Sequence, residues 1–160
     1  MRIKARQRVF IQRPAEEIFT YLSDLEHMTS WSSALVSIHK MTPEAICAGT
    51  LVQSTLSICD KRLEMIFEIV EYEPHSCLSF KSISGCTPCL VCYQFEPGED
   101  GGTTLSVDVM LQLIEESCDL EEPIITYEIH RLLAYDLRTF KDMLESRAEL
   151  RGGEIDGRGV

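Results

Sequence analysis

The chain has 160 residues, 44% of them hydrophobic, and a net charge of −11 from 26 acidic against 15 basic side chains. That length suits one domain with a sizeable core, and the apolar fraction excludes a disordered chain. The acidic balance argues against a nucleic-acid binder, which needs a basic surface to neutralise phosphates, and against binding to anionic membrane surfaces.

Residues 1–12 read as a strand in which Ile3, Ala5, Val9 and Ile11 alternate with Arg2, Lys4, Arg6 and Arg8, a basic row expected on a solvated outer face. Pro14 suits the first turn of a helix, Glu16 and Glu17 favour its N-terminus, and Ile18, Phe19, Tyr21 and Leu22 form its apolar side. A second short helical piece, roughly Leu25 to Ser30, leads to Trp31. From there to about residue 111 the signals are β. Val52, Ser54, Leu56 and Ile58 alternate, and so do Leu63, Met65, Phe67 and Ile69. Turns fall at Thr42-Pro43, Glu73-Pro74-His75, Gly85 to Pro88 and the run GEDGG. Closely spaced strands with short turns predict an antiparallel meander.

Residues near 120–148 read as one long helix. Its apolar stripe holds Ile125, Ile129, Leu132, Leu133, Leu137, Phe140, Met143 and Leu144, while Glu128, Arg131, Tyr135, Arg138, Asp142 and Glu145 fall away from it. The expectation is a single domain over 1–148 followed by a disordered tail over 149–160. No apolar stretch reaches membrane-spanning length, so no membrane insertion is expected. The basic N-terminus lacks the apolar core and cleavage site of a signal peptide. Seven cysteines without a framework spacing read as free thiols in a reducing compartment. A cytoplasmic protein is expected.

The order strand, two short helices, antiparallel strands and a long final helix is the helix-grip plan, an α+β fold in which a curved antiparallel sheet wraps a C-terminal helix. The stretch VFIQRPAEEIFTYLSDLEHMTSW resembles the opening of the START-like, birch-pollen-allergen-like (SRPBCC) superfamily, in particular its polyketide cyclase/dehydrase and lipid-transport branch. Gly49-Thr50 before a strand, EIVEYEP, YQFEP before a Gly-rich turn and LRTFKDMLE in the last helix extend the resemblance over about residues 1–147. These motifs are specific for a fold and not for a reaction.

A bent sheet closed onto one helix leaves space lined by alternate strand residues and the helix stripe. The expected lining is Val52, Leu56, Leu63, Met65, Phe67, Leu78, Phe80, Val91, Tyr93, Phe95, Leu132 and Phe140. It suits a lipid, isoprenoid or polycyclic aromatic ligand, carried or sensed, with no cofactor. The alternative is a polyketide cyclase/dehydratase acting in the same cavity, with candidates Asp136, Tyr93 and His130 moving protons. A third reading is a protein-interaction module with a filled core. The oligomeric state is open, a homodimer included.

Asp136 lies near the centre of the apolar stripe, where a carboxylate must be hydrogen-bonded, line a wet cavity or carry a raised pKa. Fixing helix docking through a bond to a neighbour is its first reading, and a polar or acid/base role in the cavity its second. Tyr93 shares the strand phase of Val91 and Phe95, so core packing and a site role compete there. His130 sits at the stripe's edge as a rim residue. Trp31 either anchors the short helices or gates the cavity. Cys86, Cys89 and Cys92 have half the look of a metal site, but Cys89 and Cys92 would face opposite sides of a strand, and a turn could instead bring Cys86 and Cys89 close enough to bridge as a redox pair; packing thiols are preferred to both and no metal is expected.

Overall fold

The structure, a computed structural model, describes residues 2–85, 87–112 and 121–158, with side chains described as far as Arg147. Cys86 lies outside the described residues. In chain order the elements are β1 (Arg2–Ile11), α1 (Ala15–Leu22), a 3₁₀ helix (Leu25–Ser30), β2 (Leu35–Lys40), β3 (Leu51–Ile58), β4 (Lys61–Glu73), β5 (Cys77–Ser84), β6 (Cys89–Pro97), β7 (Thr103–Gln112) and α2 (Glu122–Arg158). The seven strands form one sheet in the order β1-β7-β6-β5-β4-β3-β2, and every neighbouring pair is antiparallel. This is the helix-grip fold.

Alternation in β1 sets which face turns inward. Ile3, Ala5 and Ile11 are buried while Arg2, Lys4, Arg6 and Arg8 are exposed. The basic row is therefore a solvated face, with Arg6 paired to Asp108 of β7 through bonds of 2.6 and 3.1 Å. Register shifts interrupt the β4–β5 ladder at Ile66/Phe67 and Ile69/Glu71 and the β2–β3 ladder at Leu35/Ser37, and an extra residue on one strand kinks it and increases its twist.

Two hairpin turns show different chemistry. The β6–β7 turn closes with the Gly98 N–H donating to the Gly102 carbonyl at 2.7 Å, and Gly101 takes a φ of 77°. The β3–β4 turn places Cys59 and Asp60 at φ 52° and 62°, both left-handed without a glycine. Paired positive φ values are what a two-residue hairpin needs to match strand twist, and its sequence carries no glycine to announce it.

α1 closes one end of the grip: Ile18 and Leu22 are fully buried, and Phe19 meets Tyr72 and Phe95 edge-on at 5.4 and 5.3 Å. α2 lies along the concave face, with Ile125, Ile129, Leu137, Phe140 and Leu144 buried and Tyr135 exposed, as the helical stripe predicts. Its docking against the end of β1 is fixed by the Gln12 N–H donating to the Glu145 carboxylate at 3.0 Å. α2 continues to Arg158, through most of the stretch that the sequence reading assigns to a disordered tail. Among the described residues no helix is long and apolar enough to cross a membrane.

Candidate functional site

Between the sheet and α2 the interior is not completely filled. One lobe, of about 130 Å³, is lined by Trp31, Ser32 and Ala34 after the 3₁₀ helix, Leu56 and Ile58 of β3, and Leu63 and Met65 of β4. Cys89, Val91 and Tyr93 of β6, Val107, Val109 and Leu111 of β7, and Ile129, Leu132, Leu133, Asp136 and Leu137 of α2 complete it. A second lobe, of about 110 Å³, adds Met28, Leu35, Ile38, Ser54, Phe67 and Phe80. Ser32, Leu56, Cys89, Val91 and Tyr93 line both, so the lobes adjoin. A larger hollow of about 450 Å³ lies on the surface between α1 and α2, where Glu16, Glu17, Asp24 and Arg147 join Pro14, Tyr21 and Leu144, and shares no residue with the two lobes.

The sequence-predicted residues divide into two groups. Trp31, Leu56, Leu63, Met65, Phe67, Phe80, Val91, Tyr93, Leu132 and Asp136 line a lobe. Val52, Leu78, Phe95 and Phe140 do not: they are buried in solid core, Phe95 against Phe19 at 5.3 Å and Phe140 against Trp31 at 4.9 Å. Strand and helix periodicity assigned these side chains to the correct face, but packed neighbours cover them, Phe19 of α1 in front of Phe95 and Trp31 in front of Phe140. His130 is half-buried and lines neither lobe. The lining residues sequence reasoning missed include all three from β7, Val107, Val109 and Leu111, and the alternation in TTLSVDVML carries the signal that identifies them.

Asp136 is only 6% exposed, and its Oδ1 accepts two hydrogen bonds from Ser33, from the hydroxyl at 2.7 Å and the backbone N–H at 3.0 Å. Burial lifts its carboxyl above the usual value, and the Ser33 bonds and the charge of Arg131 oppose that shift only in part. The carboxylate thus serves both readings made from the sequence, tying helix to loop and facing the cavity. Tyr93 is buried beside it. Desolvation first, then the Asp136 charge and Cys89, push its phenol above the ordinary range, so it stays a neutral phenol whose hydroxyl can donate or accept a hydrogen bond. Burial also pushes the Cys89 thiol up to about 12, which makes it an inert packing group at neutral pH.

Trp31 is 3% exposed and edge-on to both Phe140 and Tyr93, at 4.9 and 6.3 Å. Its indole N–H is buried and finds no acceptor among the described residues. Cys89 faces the cavity, while Cys92 lines a hollow on the opposite face of the sheet with Lys4, Arg6 and Asp108. Among the described residues no group of three or more His, Cys, Asp or Glu side chains is placed to hold a metal ion.

The sequence model of the family described as polyketide cyclase / dehydrase and lipid transport matches residues 2–149. The chain belongs to that family. No curated protein matches it in sequence. Among solved structures, a protein from Thermus thermophilus superposes with a TM-score of 0.76 at 17% identity, covering 90% of this chain and 98% of its own. A START superfamily protein from Mycobacterium smegmatis gives 0.75 at 13% identity, covering 89% and 97%. The Zhui aromatase/cyclase from Streptomyces sp. R1128 gives 0.75 at 10% identity, covering 92% and 96%. At these identities the likeness is one of fold, and the polyketide cyclase / lipid transport family supplies no reaction by itself.

Proposed function

We infer that this chain is a single-domain protein that binds a hydrophobic small molecule non-covalently between its sheet and α2. The observation that carries this reading is the pair of adjoining apolar lobes. They are lined by residues of every strand except β1 together with α2, and among the described residues Asp136 is the only ionisable carboxyl on the wall. A folded chain normally closes such space, because each unfilled contact forfeits dispersion energy and leaves a cavity penalty. Retaining an apolar void over the middle of the fold is what a binding site requires. The wall supports a carrier or sensor role over catalysis: it is built for burial, and most of it offers nothing for chemistry.

Native mass spectrometry of the purified chain, with extraction and identification of any co-purifying compound, tests the reading. A defined apolar molecule at stoichiometric occupancy is expected. A chain that is empty and also fails to take up any apolar probe would overturn it in favour of a protein-interaction role.

A second reading has its own observation. Tyr93 and Asp136 line the same lobe closely enough for the carboxylate charge to act on the phenol. An enzyme of the cyclase/dehydratase type needs two such convergent groups: a phenol O–H to polarise a carbonyl and a carboxyl to move a proton on a positioned chain. Turnover of a poly-β-carbonyl substrate that is lost in both Tyr93→Phe and Asp136→Asn, with binding retained, would favour it over carriage.

A further inference from the structure

The lining of the cavity narrows what enters it. Resting on the binding reading above, three features of the wall act together: its size, its lack of positive charge and the one carboxylate it presents, Asp136.

The lobes measure about 130 and 110 Å³. An apolar cavity of about 150 Å³ holds one benzene ring, so each lobe is of single-ring size and the two together match a compact one- or two-ring body. A long acyl chain or a phospholipid exceeds that space. Among the described residues neither lobe is lined by a lysine or arginine. A carboxylate or phosphate on the ligand would be stripped of water with no counter-charge and set against Asp136. An ammonium would find a carboxylate, but it would lose its hydration inside an otherwise apolar wall, and attraction to one partner does not reliably offset that loss.

The carboxylate itself selects for a donor. Both Ser33 bonds to Asp136 fall on Oδ1. We propose that the cavity takes a compact, uncharged molecule of one or two rings carrying a hydroxyl group, whose O–H donates to Oδ2 of Asp136 beside Tyr93. Ser33 is then a positioning residue: by occupying Oδ1 from the loop side it turns the other carboxyl oxygen toward the cavity.

Equilibrium dialysis of the full chain against five probes tests this: 2-naphthol, naphthalene, 2-methoxynaphthalene, 2-naphthoate and 2-naphthylmethylamine, with oleate as the long-chain competitor. A hydrogen bond to a charged or partly charged acceptor corresponds to roughly tenfold or more in affinity. 2-Naphthol is expected to bind at least about tenfold tighter than naphthalene or its methyl ether, and oleate is expected not to displace it. In Asp136→Asn the two Ser33 donors keep the amide oxygen and the NH2, which cannot accept, faces the cavity, so the advantage of naphthol over its methyl ether is lost while naphthalene binding is kept. Naphthol and naphthalene binding equally, or the naphthoate, the amine or oleate binding most tightly, would overturn the proposal and leave cavity binding intact. If no probe binds at all, naphthalene included, the binding reading itself fails, and that outcome is distinct from the others. The comparison of the naphthol with its ether uses the unaltered chain, so it does not depend on any variant folding.

Discussion

Ser33 and Asp136, 103 positions apart in sequence, are joined by two hydrogen bonds to a single carboxyl oxygen, 2.7 Å from the serine hydroxyl and 3.0 Å from its backbone N–H. The pair fastens the middle of α2 to the loop that carries Trp31 and Ser32, both part of the cavity wall. The same carboxylate is the principal polar feature of that wall, so docking and binding share one side chain.

Ser33→Ala removes the shorter of the two bonds and leaves a buried carboxylate with one donor fewer. A loss of about 1–3 kcal/mol is expected. Urea unfolding checks it, with a lower midpoint and an unchanged slope. A midpoint equal to that of the parent chain would mean that the bond does not hold the loop.

The stability of the fold carries a pH signature from Asp136. Burial raises its pKa above the ordinary 3.8, so the native chain holds this proton more tightly than the unfolded one does. Stability linked to this group is then greatest below that value and falls as pH rises through the raised native pKa. Relative to Asp136→Asn, the parent chain should lose melting temperature as pH rises from the ordinary 3.8 through the raised native pKa, and level off above it. Parallel curves for the two proteins would contradict the assignment.

Filling the cavity and emptying the core have opposite consequences. Val91 lines both lobes, and Val91→Phe is expected to occupy that space, lowering affinity for an apolar probe by about tenfold or more with a melting temperature close to the parent's. Phe140 is fully buried against Trp31, and Phe140→Ala should cost about 3–5 kcal/mol of stability. Equal destabilisation by both changes would show that the lobes are closed core.

The thiols should separate by environment. Cys47 is exposed, whereas Cys89 is buried with its pKa pushed up to about 12. Iodoacetamide at mildly alkaline pH is expected to modify Cys47 readily and Cys89 only after unfolding, as read by peptide mass mapping. Labelling of Cys89 at the rate of Cys47 would reveal an interior open to solvent.

The fold was legible in the sequence because it is written in local periodicity. Two-residue alternation in Ile3, Ala5, Val9 and Ile11, or in Leu63, Met65, Phe67 and Ile69, fixes which face of a strand meets the core. The stripe from Ile125 to Leu144 fixes the face of α2 in the same way. The order of these elements, with Pro14, Trp31 and the Gly-rich turn at their places, is enough to name the family that matches residues 2–149. The Cys59-Asp60 turn was silent because its left-handed residues are not glycines.

The site was legible only in part, since facing inward and lining a void are different properties. Periodicity places Val52, Leu78, Phe95 and Phe140 inside as surely as Leu56, Val91 and Tyr93, yet the first four are covered by packed neighbours and the last three border open space. That distinction depends on tertiary packing, such as Phe19 of α1 against Phe95 and Trp31 against Phe140, which is set by contacts between elements far apart in the chain. The partner of Asp136 is decided the same way. Its place on an apolar stripe shows that it needs a donor, and only the close approach of the Trp31 loop to α2 determines that the donor is Ser33.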